Sequence, residues 1–153
     1  MTTNIAFFEA VRDDDLDTVR QFLSDNPALA NGRMPGDSSI LNFQVWLDRK
    51  RVPITDKDER FGTALHYAAI WGKLQLAKLL LEFGADVNAI AYENNHEQTS
   101  PIVLAAWEGG LDMMKLLLEH GADPNSKSSN GVTPLSTSRR HNRNDRVELL
   151  LQY

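Results

Sequence analysis

Two stretches of the chain are copies of one another. Residues 62–89 read GTALHYAAIWGKLQLAKLLLEFGADVNA, and most of that returns at 100–126 as SPIVLAAWEGGLDMMKLLLEHGADPNS. A unit of about 33 residues, made of two short helices and a turn, cannot bury its apolar face alone. It has to stack on a neighbour of the same kind, and stacked units make a solenoid. Such a scaffold offers an extended surface. That directs function toward holding another protein rather than transforming a small molecule.

Registering the copies gives the organisation. Thr63, Ser100 and Thr133 open the recurring turn and lie 37 and 33 residues apart. An earlier unit fits by helical pattern. Phe7, Ala10 and Val11 align with Leu65, Ala68 and Ala69, and Leu16, Val19, Phe22 and Leu23 align with Leu74, Ala77, Leu80 and Leu81, at an offset of 58. Against a period of about 33, the successive excesses are about 25, 4 and 0 residues. The expected layout is one domain over residues 1–153, with units near 4–32, 59–91, 96–128 and 129–153 and an insertion at 33–58.

Local chemistry supports each unit. Thr63, Ser100 and Thr133 stand where a helix N-cap is wanted, and Pro101 and Pro134 follow where a missing donor costs nothing. Ala68-Ala69 and Ala105-Ala106 are small enough for helices to approach closely. Gly72 and Gly109 fall between the two helices of a unit, where a left-handed residue is expected. Leu74, Leu79 and Leu80, with Leu111, Leu116 and Leu117, recur at helical spacing and form the expected core. Gly84 and Gly121 end the second helices. The end units read as caps. Asp13-Asp14-Asp15 replaces Trp71-Gly72-Lys73, Ser138-Arg139 replaces an alanine pair, and Arg146 stands where Leu76 and Met113 sit. Polar outer faces on terminal units are what solubility requires. The chain stops at Tyr153, one residue before the glycine that the repeat leads one to expect. It reads either as a natural end or as the loss of a tail, which would leave the last helix uncapped.

Thr63-Ala64-Leu65-His66, Ala68-Ala69, Gly72, Leu79-Leu80-Leu81 and Gly84-Ala85-Asp86-Val87-Asn88, matched in order and register, resemble an ankyrin repeat. The resemblance implies an all-α ankyrin-repeat solenoid of about four units, with the extra residues falling where the family places its β-hairpin fingers. It implies that His66 hydrogen-bonds backbone near its turn; Val103 and Ser136 take that place in the later units. It also implies a protein partner, met by the finger tips and the exposed ends of the first helices. By register these are Ile70, Trp71, Trp107, Glu108, Arg140 and His141. The finger positions are Glu59 and Arg60, then Tyr92, Asn94, His96 and Glu97, then Lys127, Ser129 and Asn130. Trp71, Trp107 and Tyr92 suggest aromatic anchors inside a polar rim.

The insertion is the part least like a repeat. Ser38–Leu47 reads SSILNFQVWL. As a helix it places Ile40, Phe43 and Leu47 on one face with Trp46 beside them; as a strand, Leu41, Phe43, Val45 and Leu47 alternate with polar neighbours and Trp46. Both templates fit, with helix preferred. The segment is a degenerate repeat plugging the stack, a flap over the concave groove, or an arm presenting Phe43 and Trp46 to a partner.

Charge and composition narrow the function classes. Net charge is −5 over 153 residues, with no cysteine. That argues against a general phosphate-binding surface and removes disulfide and thiolate chemistry. Residues 1–32 carry six acidic and two basic side chains, and residues 126–153 carry five basic and two acidic. Such a dipolar chain steers a charged protein partner or simply has solvated faces. Nucleic acid is not expected, because the basic patch is short and no aromatic platform is foreseen beside it. Glu93–Glu97 is the only stretch of metal-like flavour, yet Ser100 stands where a zincin motif needs its second histidine. No enzyme, cofactor or metal is expected. No basic leader opens the chain and no run approaches the ~20 apolar residues of a membrane span. A cytoplasmic monomer is the expected form. A dedicated inhibitor or immunity-type protein, and a regulatory fragment of a longer chain, are the alternative readings.

Overall fold

The computed structural model describes residues 2–33, 62–92 and 98–153. Four antiparallel helix pairs follow one another among them. The first is α1 (Thr2–Asp13) with α2 (Leu16–Asp25), closed by a 3-10 turn at Pro27–Asn31. The second is α3 (Ala64–Ile70) with α4 (Leu74–Glu82). A hairpin of β1 (Ala91–Tyr92) and β2 (Gln98–Thr99) comes next, with Ala91 opposite Thr99 and Tyr92 opposite Gln98. The third pair is α5 (Pro101–Leu104), which runs into a π turn at Ala105–Gly109, with α6 (Leu111–Glu119). The fourth is α7 (Pro134–Arg140) with α8 (Asn144–Leu150). First helices pack on first helices, α3 on α5 and α5 on α7; second helices pack likewise, α2 on α4, α4 on α6 and α6 on α8. This is the all-α repeat solenoid expected from the internal copies, with one hairpin finger.

The core runs along the stack rather than sitting at one centre. Phe7, Leu23, Leu65, Leu80, Met113 and Leu117 are fully buried in it. Ala68-Ala69 and Ala105-Ala106 are buried too, so small side chains do set the helix spacing. Leu74 and Leu111 differ from expectation. Each opens a second helix and is only half-buried, packing on the core from its edge.

Polar clamps join successive pairs. The Asn31 amide donates to the Gly84 carbonyl at 2.9 Å and its oxygen accepts from the Asp86 N–H at 2.7 Å. Asn88 repeats this on Gly121 and Asp123, at 3.0 and 2.9 Å. Each clamp satisfies a loop carbonyl and a loop N–H that the helices leave unpaired. Lys73 adds an ion pair to Asp14 at 2.8 Å, from the second inter-helix turn to the first.

The inter-helix turns use different residues at one backbone geometry. Asp14, Gly72 and Asn142 take φ of 58°, 62° and 55°. The third turn departs, because the π turn carries the helix one residue further. The positive φ therefore falls on Gly110, at 95° with ψ 167°, a region that only glycine enters readily. Gly109, expected to be left-handed, is not. Its role is space, since a Cβ there would lie 1.8 Å from the Ala69 carbonyl oxygen.

The caps also sort by residue. Thr133 and Ser136 exchange side chain–backbone hydrogen bonds at 2.9 and 3.1 Å, capping α7. The Ser100 hydroxyl instead pairs with the Ser126 hydroxyl at 2.6 Å. The terminal cap is less polar than expected. Ser138 is fully buried, donating to the Pro134 carbonyl, and Arg146 is 6% exposed rather than on an outer face.

His66 is held as a neutral ring. Its Nδ1 accepts the Thr63 N–H at 3.1 Å, so the ring proton sits on Nε2, which donates to the Thr99 carbonyl at 3.3 Å. Burial pushes its pKa down to about 4, against support from the Thr99 and Ala89 carbonyls. The folded state thus binds its proton less readily than the unfolded chain does, whose value is about 6.5. The associated stability is complete above pH 6.5 and is lost as pH falls from there toward 4, on the order of 3 kcal/mol in all. Urea titrations at pH 7.5 and 4.5 are expected to show that loss, and His66→Asn to flatten it. Equal slopes in both proteins would count against this role.

Arg33 and Thr63 form an isolated antiparallel bridge. The expected helix or strand at Ser38–Leu47, and the three readings of the insertion, lie outside the described residues. Replacing residues 36–55 by a short linker is expected to leave cooperative unfolding intact. Loss of a single sharp transition would make that segment a structural plug.

Candidate protein-binding groove

A groove of about 260 Å³ opens between the third and fourth helix pairs. Its helical wall is α5 with its π turn, giving Val103, Leu104 and Trp107, and α7, giving Thr137, Arg140 and His141. Its other wall is finger backbone and side chains, from Gln98 and Thr99 on β2 to Ser128, Asn130 and Val132. The two finger segments are tied together: the Gln98 N–H donates to the Ser129 hydroxyl at 2.9 Å, and the Ser129 N–H to the Gln98 carbonyl at 3.2 Å. A tight turn shapes the rim, in which the Ser128 N–H donates to the Val132 carbonyl at 2.9 Å.

The residues of this groove differ in access. Trp107 is 39% exposed in the middle of the π turn, and Arg140 and His141 are exposed at the end of α7. Thr137 is buried, and its hydroxyl has no hydrogen-bond partner among the described residues. Behind the wall, Arg146 Nη1 donates to the carbonyls of Ala105, Ala106 and Trp107 at 3.3, 2.8 and 3.3 Å. That contact reaches from α8 to the turn that presents Trp107. Desolvation, with Arg143 nearby, lowers the Arg146 pKa from its usual range.

Of the residues singled out from the sequence, Trp107, Arg140 and His141 line this one groove. Glu108 is exposed on the same π turn, beside Trp107 but outside the lining. Ile70 is 8% exposed and belongs to the core, so it offers no surface. Trp71 is half-buried and tilts against Tyr67 with ring centroids 6.4 Å apart. Tyr67 itself donates to the Arg12 carbonyl at 3.1 Å, and its burial pushes its pKa up to about 12. Tyr92 sits on β1, paired with Gln98. Phe43, Trp46, Arg60 and His96 lie outside the described residues. One premise is overturned. An aromatic ring does stand beside the basic patch, because Trp107 shares the groove with Arg140 and His141.

The family model for ankyrin repeats (3 copies) matches residues 4–128 and 89–153. The chain belongs to the ankyrin-repeat family. Ankyrin repeats are generally protein–protein interaction modules and typically not enzymes. No curated protein matches the chain. Among the described residues no helix is long and apolar enough to cross a membrane. What sequence reasoning missed in this ankyrin-repeat chain is part of the groove's lining. Val103, Leu104, Val132 and Thr137 read as ordinary helix and loop positions. Gly109-Gly110, in place of Gly72-Lys73, was the available signal that the Trp107 turn is unlike the others.

Proposed function

We propose that this ankyrin-repeat chain holds one protein partner on the side where first helices meet fingers. The convergence of Trp107, Arg140 and His141 on one groove carries the reading. A large ring beside a guanidinium in a partly apolar lining is the composition of an interface hot spot, where a few Trp, Tyr and Arg residues dominate affinity. The net acidity of the whole chain and the basicity of its last unit support a charged protein as the partner. In this reading the module acts as a cytoplasmic monomer, without cofactor or metal.

The test is a partner captured from native extract and re-bound to purified variants. Trp107→Ala is expected to weaken it by about 1–2 kcal/mol or more, with folding intact. Lys78→Ala, exposed on α4, is expected to change nothing. Trp71→Ala also loses its contact with Tyr67, so its binding is read only beside its melting curve. Unchanged affinity of Trp107→Ala, with folding intact, would reject the reading, whatever Trp71→Ala does.

A further inference from the structure

The groove is chemically graded. Val103, Leu104 and Val132 are apolar members of its lining, while Arg140 places a guanidinium at the end of α7, beside His141. Glu108, the nearby acid on the π turn, lies outside the lining. Residues 126–153 bring five basic against two acidic side chains. A guanidinium matches a carboxylate with two parallel donors, a geometry that lysine does not reproduce. The finger wall is β2 together with the turn from Ser128 to Val132.

We infer that this groove takes an extended acidic segment of a partner protein, seating an apolar side chain on Val103, Leu104 and Val132 with the neighbouring carboxylate on Arg140 and His141. The inference rests on the reading of this side as the binding face and adds the partner's chemistry. Glu108 sets the polarity of the segment, because its own charge repels a carboxylate placed at the Trp107 end. Thr137, in the same lining, adds a buried hydroxyl with no hydrogen-bond partner among the described residues.

The experiment uses the full chain, isotope-labelled, and three pools of ten-residue peptides with a fixed central Leu-Glu, Leu-Gln or Leu-Lys pair and Gly, Ser or Ala elsewhere. The Leu-Glu pool is expected to bind at least threefold more tightly than the Leu-Gln pool and tenfold more tightly than the Leu-Lys pool. Amide shifts are expected to centre on Val132, Thr137 and Arg140. Arg140→Gln removes the preference and Arg140→Glu reverses it, while Lys78→Glu leaves it unchanged. Both Arg140 variants are at an exposed position, and either alone decides. Equal binding of the three pools, shifts centred elsewhere, or a preference that survives either variant would overturn the inference. So would tighter binding of a single-stranded oligonucleotide at the same amides, or self-association there, since the occupant would then be nucleic acid or a second copy. If the peptides fail but Trp107→Ala still weakens the captured partner, only the acidic chemistry falls. If Trp107→Ala also has no effect, the binding face itself is wrong.

Discussion

Replacing Gly109 with alanine is expected to destabilise the chain by about 3–5 kcal/mol, or to prevent folding of the stack. The added Cβ would lie 1.8 Å from the Ala69 carbonyl oxygen and 3.4 Å from the Ala105 Cβ. Neither neighbour can retreat cheaply. Ala69 is backbone of the packed α3, and Ala105 is held between α3 and α7. Relief requires that the second and third pairs separate, which exposes the core they share. Gly110→Ala is the control. Open space surrounds its Cβ, and only the backbone conformation resists, at about 1–3 kcal/mol. Urea midpoints of the two variants separate close approach from backbone strain. A Gly109→Ala midpoint equal to wild type would mean that the pairs do not pack as described.

Arg146→Ala is expected to cost about 3–4 kcal/mol. Two losses combine. Three carbonyls at the end of the third unit's first helix lose the guanidinium as a donor, although Ala105 keeps the Gly110 N–H at 3.2 Å, and the buried stem leaves a cavity. Arg146→Met fills much of the volume and restores no donor, so it is expected to cost about 1–2 kcal/mol. Because those carbonyls belong to the turn that carries Trp107, both variants are expected to weaken partner binding beyond their effect on folding. Denaturation curves with binding measured at a temperature where each variant is folded will show it. An Arg146→Ala protein as stable as wild type would make the contact incidental.

The sequence made the repeats legible because their apolar positions recur in register, and burial of Leu65, Leu80, Met113 and Leu117 follows from that alone. Its silence at Arg146 has a physical cause. A charged residue at a core position reads as an outward cap unless one knows that the carbonyls of Ala105, Ala106 and Trp107 converge opposite it. The π turn presents those carbonyls, and a π turn leaves only a doubled glycine in the sequence. Ile70 illustrates the converse error. Its register places it at the exposed end of a first helix, but α3 is covered there by its neighbours. Trp107 occupies the position corresponding to Ile70, 37 residues on, yet it is 39% exposed on the π turn that replaces regular helix there. The apolar part of the groove's lining escaped notice because Val103 and Val132 lie 29 positions apart and meet only after stacking.

The account stands most directly on where a partner protects the chain. Hydrogen exchange of the partner complex, against the free chain, is expected to slow Gln98–Trp107 and Val132–His141 and to leave α2, α4, α6 and α8 unchanged. Protection confined to those second helices, with the groove exchanging as in the free chain, would contradict it.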